Sequence, residues 1–323
     1  MNNHVDLQAM AKQIMMEHGF EPDFPDAAKQ QMARIPTNPP LTASNGIRDL
    51  RGLLWSSIDN DTSRDLDQIE VVEKLANGDV KVMVGIADVD AFVPKSSPID
   101  DHAAKETTTV YTGVCNFPML PEALSTGASS LLENEDRLSM VIEFVAAADG
   151  TVNSGTVYPA LVRNKAQLTY SAVGAWLEGT ATAPPKVAGS ADLQSQLKLQ
   201  NQVAQALKTQ RFQHGALNID TNEVHPILLN NQVVDVAVER DKPGVALWRR
   251  LGQLVDYRGV RRELTHQGQQ RGGPGQLSAL VWRTERYQRV YVAIASEALH
   301  VIPRDQATKA VPDDVDSFVT GVR

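Results

Sequence analysis

The segment Asp59–Glu70, "DNDTSRDLDQIE", decides how the chain is interpreted, because it places four aspartates, a serine and a glutamate within one short stretch. Carboxylates this dense repel one another unless a cation or a strong hydrogen-bond network neutralises them. Runs of β-forming residues flank the segment, "GLLWSSI" (52–58) before it and "QIEVVEKL" (68–75) after it. We therefore expect an acidic loop between two strands, which could hold calcium, hold magnesium, or face water.

A calcium loop of the EF-hand type is the first alternative. Such a loop needs oxygen ligands at positions 1, 3, 5 and 9 and a glutamate at position 12. The chain supplies these as Asp59, Asp61, Ser63, Asp67 and Glu70. Position 6, which is normally glycine, is Arg64, and an EF-hand needs a helix on each side rather than a strand. Calcium is the weaker interpretation.

A magnesium site for phosphoryl chemistry is the second alternative. Magnesium keeps several waters and is held by a few carboxylates together with the phosphates of the substrate. Two such ions can activate a water and stabilise a leaving oxygen. A loop that brings Asp59, Asp65 and Asp67 to one point would suit this chemistry.

Turn signals and hydrophobic periodicity organise the rest of the chain. Hairpins are predicted around "ANGD" (76–79) and "ADGT" (148–151), and further strands at 215–224 and 232–238. Helices are predicted over 5–19, 26–35 and 193–212, with a linker at 36–46. The expected fold class is mixed α/β (α+β), with mostly antiparallel strands and flanking helices. We expect a short helical N-terminal region and linker over 1–45 and one larger domain over 46–323.

The composition limits the cellular setting of the protein. The chain has 323 residues, 42% of them hydrophobic, and a formal net charge of −8. Its single cysteine, Cys115, excludes an internal disulfide and suits a reducing cytosol. No signal peptide or membrane-spanning run is apparent, so we expect a soluble, cytoplasmic protein without a membrane partner. The acidic total argues mildly against coating nucleic acid by bulk charge, although arginines are dense between Arg240 and Arg289.

Several blocks in order resemble the RNB catalytic domain of the ribonuclease II family over roughly residues 47–240. They are "SSIDNDTSRDLDQIEV", "VGIADVDAFV", "TTTVYTGVCNFPMLPEALS", "SSLLENEDRLSMVIEF" and "RFQHGALNID". The resemblance implies a magnesium-dependent hydrolytic exoribonuclease. Such an enzyme degrades single-stranded RNA in the 3′→5′ direction and releases nucleoside 5′-monophosphates. The implied cofactor is Mg²⁺ and the implied partner is single-stranded RNA, whereas no protein partner is indicated.

The resemblance also implies roles for particular residues. The four aspartate positions of the family motif fall on Asp59, Asp65, Asp67 and Gln68, which would hold the metal. Asp65 and Asp67 would be catalytic, and activity should depend most on Asp67. Gln68 offers a neutral carbonyl oxygen instead of a carboxylate, so a second metal ion would be held more weakly. Tyr111 would stack on the 3′-terminal base, although a tyrosine packed in the core is the alternative.

Four other polar residues are expected to play supporting parts. Asp61 should order the acidic turn, and Arg137 should pair with an acid rather than touch RNA. His102, placed at the start of a predicted helix, is interpreted as structural. Cys115 is interpreted as a small packing residue.

The resemblance fails in two places. Residues 243–262, "PGVALWRRLGQLVDYRGVRR", contain no glutamate where the family has an acid-rich helix, which is the pattern that a compensated pair of frameshifts would produce. The chain also ends before the family's phosphate-binding arginine block, so residues 46–323 are expected to form a partial RNB catalytic domain. Two alternatives to an active nuclease therefore remain, a non-catalytic RNA-binding or metal-binding remnant and, with less support, a calcium-binding structural protein.

Overall fold

The structure, a computed structural model, describes residues 6–36, 46–112, 114–215, 222–229, 232–240, 281–282 and 290–291. Its strands are β1 (Arg48–Asp49), β2 (Ser56–Asp59), β3 (Gln68–Lys74), β4 (Val80–Ala87), β5 (Val110–Tyr111), β6 (Asn116–Phe117), β7 (Asp136–Ala146), β8 (Val152–Arg163), β9 (Ala166–Thr169), β10 (Asn222–Leu229), β11 (Gln232–Arg240), β12 (Val281–Trp282) and β13 (Val290–Tyr291). Its helices are α1 (Leu7–Glu17), α2 (Asp26–Met32), α3 (Pro98–Glu106), α4 (Tyr170–Leu177), α5 (Pro185–Ala188) and α6 (Ala191–Gln213), with one π-helical turn, Leu124–Ala128.

A seven-stranded sheet in the order β1-β8-β7-β4-β3-β2-β9 organises the site-bearing part of the chain. Antiparallel pairing dominates, and both predicted hairpins, β3–β4 and β7–β8, are confirmed. The first turn contains Gly78 at φ +92° and the second Gly150 at φ +86°, backbone values that favour glycine. The mixed α/β class with mostly antiparallel strands is thus confirmed.

Two pairs at the borders of the sheet are parallel, β1 with β8 and β2 with β9. The predicted strand over 52–58 is wrong in its first half, because β2 begins only at Ser56. The preceding residues form a turn in which the Trp55 indole N–H donates to the Leu50 carbonyl, 2.9 Å away. That hydrogen bond turns the apolar run inward, so Trp55 is fully buried in the core rather than paired along a strand.

The hydrophobic core lies on both faces of the sheet. Alternation along β3 sends Val71 to one face and Val72 to the other, as expected for a strand buried on both sides. On the Val72 face, β4 and β7 pack against α6 through buried leucines such as Leu197. On the Val71 face, Trp55 and Leu131 cover the sheet.

Helix α6 contacts the sheet at polar as well as apolar points. The side chain of Gln196 accepts from the Val72 N–H at 2.9 Å and donates to the Val72 carbonyl at 2.6 Å. The glutamine therefore pairs with β3 as a neighbouring strand would. At the β7–β8 turn, a Cβ on Gly150 would collide with the Ala206 backbone of α6, so glycine is required there for close approach as well as for its φ.

The N-terminal helices pack on the segment that leads to Tyr111. Ala28 of α2 shares a small core with Ile99 of α3 and Leu124 of the π-helical turn. Helix α3 begins at Pro98, four residues before the expected start, so His102 lies within the helix. Its ring is 3% exposed and packs against Phe24 with 4.3 Å between ring centroids, in agreement with a structural role.

None of the helices in the described part of the chain is both long and apolar enough to cross a lipid bilayer. Strands β10 and β11 form a hairpin, which covers the predicted strand at 232–238 and the end of the one at 215–224. Residues 243–262, on which the frameshift hypothesis rests, lie outside the described residues, as does most of the predicted linker at 36–46.

Candidate active site

The acidic segment is the loop between β2 and β3, and the candidate site is built around it. Strand β2 ends at Asp59 and β3 begins at Gln68, and Ser56 pairs with Glu70 where the two strands meet. The Asp59 carboxylate accepts from its neighbour's N–H, that of Asn60, at 2.7 Å and from the Ser63 hydroxyl at 2.8 Å. The first carboxylate of the motif therefore closes the turn that carries the others.

Asp67 lies in the loop where the charges of its neighbours act on it, from Asp65 two residues before it and from Asp59 at the end of β2. Its carboxylate is open to solvent at its surface, yet protein surrounds it closely enough to weaken its hydration. That desolvation, with the negative charges of Asp59 and Asp65, raises the pKa of Asp67 to about 7. The backbone carbonyl of Asp67 accepts from the Ala87 N–H at 2.8 Å, which fixes the residue against the end of β4. A cation at this point would relieve the repulsion.

Tyr111 of β5 lies beside the same carboxylates. Its ring is 59% exposed, so the alternative of a tyrosine packed in the core is wrong. The pKa of Tyr111 rises to about 12, first because burial disfavours the phenolate and then because Asp65 and Asp67 are close. The influence of both carboxylates places an accessible aromatic face next to the acidic loop.

Glu70 is buried within the site. The sequence indicated it only as the twelfth residue of a possible calcium loop. The side chain is 3% exposed, and its Oε2 atom has no hydrogen-bond partner among the described residues. Burial, together with the charges of Asp67 and Asp59, raises the pKa of Glu70 to about 8. The raised pKa favours the protonated form of Glu70, which lies under α6, where Gln200 donates to the Glu70 backbone carbonyl at 3.4 Å.

The calcium alternative fails on secondary structure. Strands β2 and β3 flank the loop, whereas an EF-hand needs two helices. In the described residues, no three or more His, Cys, Asp or Glu side chains are grouped closely enough to hold a metal ion by themselves. The structure therefore does not bring Asp59, Asp65 and Asp67 together as a metal-binding cluster, and a magnesium ion would take most of its ligands from water and phosphate. The all-oxygen donor set of Asp59, Asp65, Asp67 and Gln68 suits such a hard cation.

The supporting residues lie largely where they were expected. The Asp61 carboxylate accepts from the Ser171 hydroxyl at 2.7 and 3.0 Å, which ties the acidic turn to the start of α4. Arg137 is buried and pairs with Glu135 at 3.6 Å. Cys115 is partly buried in the β5–β6 turn, where its carbonyl accepts from the Thr112 hydroxyl at 2.7 Å.

Comparison with protein families gives a match to the RNB domain over residues 47–254. The chain belongs to the RNB family. Relatives of this RNB protein include Ribonuclease R of Thermotoga maritima, 34% identical over 237 residues, which are 72% of this chain and 32% of that protein. Exoribonuclease 2 of Salmonella typhi is 29% identical over 227 residues, 70% of this chain and 34% of that protein. The chain thus spans about a third of the length of these curated relatives.

The RNB fold is also evident from solved structures. Mycoplasma genitalium RNase R in complex with ribose methylated single-stranded RNA matches with a TM-score of 0.72 at 23% identity. The match covers 82% of this chain and 40% of that one. The same enzyme in complex with double-stranded RNA also gives a TM-score of 0.72, with coverage of 82% and 46%. These neighbours establish the shared architecture of the sheet and its helices.

Proposed function

We propose that this RNB protein is a magnesium-dependent exoribonuclease that hydrolyses single-stranded RNA in the 3′→5′ direction and releases nucleoside 5′-monophosphates. The observation that carries the proposal is the electrostatic coupling of Asp59, Asp65 and Asp67 beside the exposed ring of Tyr111. Membership of a family whose curated relatives are ribonucleases supports the reaction class.

The acidic residues would serve as oxygen ligands. Asp59, Asp65 and Asp67 would hold Mg²⁺, with the neutral carbonyl of Gln68 as a weaker fourth donor. Bound magnesium would supply Lewis acidity and neutralise charge at the scissile phosphate. Without that neutralisation the carboxylates would repel the RNA backbone, so cation and substrate should bind with positive cooperativity. In the hydrolysis, the oxygen of water forms a new bond to phosphorus and the bond from phosphorus to the 3′ oxygen breaks.

Tyr111 would set the position of the RNA end. An exposed ring stacks on any base, and such stacking contributes about 1–3 kcal/mol per base without regard to sequence. Since Asp65 and Asp67 are close enough to raise the pKa of Tyr111, a base on the ring would lie next to the acidic loop. The phosphate on the 5′ side of the terminal nucleoside would then reach the acidic loop.

The test is a gel assay with 5′-labelled single-stranded RNA, run with magnesium, with EDTA, and with the Asp67→Asn variant. A shortening ladder that needs magnesium and disappears in the variant supports the proposal. RNA that stays intact in every lane contradicts it. Binding of labelled RNA without turnover would then favour the alternative, a non-catalytic remnant of the family.

A further inference from the structure

We propose that Ser130 is a positioning residue for the acidic loop, because its hydroxyl joins the backbone on both sides of Asp65. This inference rests on the proposed function and concerns how the same site is built. Ser130 follows the π-helical turn by two residues and is 1% exposed, so it does not touch substrate directly.

The first part of the argument is the geometry of one hydroxyl group. Ser130 Oγ donates to the Arg64 carbonyl at 3.0 Å and accepts from the Leu66 N–H at 3.0 Å. A serine hydroxyl has one donor and can accept as well, so both bonds can exist together. The two backbone groups flank Asp65, and holding them restricts the rotation of the peptide units that aim its carboxylate.

The next residue extends this contact and links it to β2. The Leu131 N–H donates to the Leu66 carbonyl at 2.8 Å. The Leu131 carbonyl accepts from the Asn164 side chain at 3.0 Å, and the same amide group donates to the Ser57 hydroxyl at 2.9 Å. Ser57 lies in β2, two residues before Asp59. Residues 130–131 therefore connect to the strand that ends at Asp59 and to the loop that carries Asp65.

Arg137 holds Ser130 from its other side. Its Nε–H donates to the Ser130 carbonyl at 2.9 Å, and its Nη groups donate to the carbonyls of Asp136 at 3.0 Å and Gly127 at 3.4 Å. Arg137 is itself 5% exposed in β7, the strand next to β4. Ser130 is thus anchored to β7 of the seven-stranded sheet. This anchoring would allow its hydroxyl to fix the separation between Asp59 and Asp65.

Loss of the hydroxyl should weaken cation binding more than it weakens folding. The Ser130→Ala variant would leave the Arg64 carbonyl and the Leu66 N–H without this partner and free the peptide units around Asp65. Residues that orient metal ligands typically change metal affinity or activity by about 10–100-fold when they are replaced. Electron paramagnetic resonance reads the binding of Mn²⁺, which is used in the assay in place of Mg²⁺. We expect the Mn²⁺ concentration that half-saturates the Ser130→Ala variant to be about tenfold or more above that of the parent protein.

Ser129 provides the matched control. It is also a buried serine, 3% exposed, but its hydroxyl donates to the Leu124 carbonyl at 2.9 Å and not to the acidic loop. The Ser129→Ala variant should bind Mn²⁺ within about threefold of the parent, while thermal unfolding shows that both variants are folded. Hydrogen exchange should be faster at the Leu66 amide in the Ser130→Ala variant alone.

Three outcomes decide the matter. Weakened Mn²⁺ binding in the Ser130→Ala variant alone, with RNA shortening reduced in parallel, supports the inference. Unchanged Mn²⁺ binding in that variant, or equal weakening in the Ser129→Ala variant, overturns it while the proposed function stands. A parent protein that neither binds Mn²⁺ nor shortens RNA removes the proposed function and this inference with it.

Discussion

Tyr111 on β5 lies beside the acidic loop between β2 and β3, where burial and then the negative charges of Asp65 and Asp67 raise its pKa to about 12. Tyr111 belongs to the two-stranded β5–β6 sheet, whereas Asp65 lies in a loop between two strands of the seven-stranded sheet. This proximity means that a base on the ring and a cation on the carboxylates would occupy adjoining space. Changes at either residue should therefore be felt in both RNA binding and metal binding.

Replacing Tyr111 should separate the contribution of the ring from that of the hydroxyl. In an Asp67→Asn background, which prevents hydrolysis, we expect Tyr111→Ala to weaken binding of single-stranded RNA by about 1–3 kcal/mol through lost stacking. Tyr111→Phe keeps the ring and should bind within about threefold of the background protein. Fluorescence anisotropy with labelled RNA measures both. Equal losses in the two variants would mean that the hydroxyl, and not stacking, holds the RNA.

Asp67→Asn should abolish magnesium-dependent RNA shortening while leaving the fold intact. The substitution removes a carboxylate from the centre of the cluster and relieves its repulsion with Asp59 and Asp65, so the melting temperature of the metal-free protein should not fall. We expect a loss of at least about 100-fold in rate, measured by gel assay.

Asp61→Asn is the matched control for that experiment. The Asp61 carboxylate bonds to Ser171 and is exposed on the same loop. The amide of the variant retains an acceptor for the Ser171 hydroxyl, so the rate should stay within a few-fold of the parent. A loss as large as that of Asp67→Asn would show that the loop as a whole, rather than the coupled carboxylates, carries the activity.

The metal-free protein should lose stability as the pH rises from about 4.5 to about 8. Burial raises the pKa of Glu70 to about 8, above its ordinary value of 4.5, so the folded state binds more protons than the unfolded state across this window. Glu70→Gln removes the ionisation, and its melting temperature should exceed that of the parent increasingly towards pH 8. Thermal unfolding in EDTA at pH 5, 6.5 and 8 measures the difference.

Glu73→Gln is the control for the titration of Glu70. Glu73 lies on the same strand with its side chain exposed and pairs with Lys81. Its replacement should shift the melting temperature by a small amount that does not grow towards pH 8. A gap between Glu70→Gln and the parent that stays constant with pH would contradict the assignment.

Gln196→Ala should destabilise the protein although the residue lies on a helix. The variant leaves the N–H and the carbonyl of Val72 without their partner, which we expect to cost about 1–3 kcal/mol in the free energy of unfolding. Denaturant unfolding measures the loss. Gln205→Ala, at an exposed position of α6, should change the free energy of unfolding by less than about 0.5 kcal/mol. Similar losses in both variants would rule out a special role for the contact with β3.

Local signals in the sequence predicted much of the fold. The "ANGD" and "ADGT" turns specify the β3–β4 and β7–β8 hairpins, because glycine supplies the positive φ that each turn needs. The parallel pairing of β2 with β9 carries no such signal. It joins strands far apart in the chain and depends on contacts such as the Lys165 N–H with the Trp55 carbonyl at 2.8 Å.

In the candidate site, too, some residues can be identified from the sequence and others only from the fold. Asp59, Asp65 and Asp67 stand out in the sequence because their spacing is dense and acidic. The raised pKa of Glu70 does not, because it depends on burial under α6, which is more than a hundred residues away along the chain. The role of Ser130 was equally hidden, since a serine reveals its bonding partners only when the loop is folded against it.

Strand β9, at the border of the seven-stranded sheet, forms backbone hydrogen bonds with side chains. The backbone N–H of Gln167 in β9 donates to the Glu133 carboxylate at 2.7 Å. The backbone carbonyl of Gln167 accepts from Lys186, and Lys186 also pairs with Glu133. Those two backbone groups are therefore not offered to another chain. Edge strands left open are sites of aggregation and of peptide addition. The Glu133–Lys186 ion pair thus acts as a side-chain cap on part of the strand beside β2, and removing it should expose those two backbone groups to a neighbouring chain.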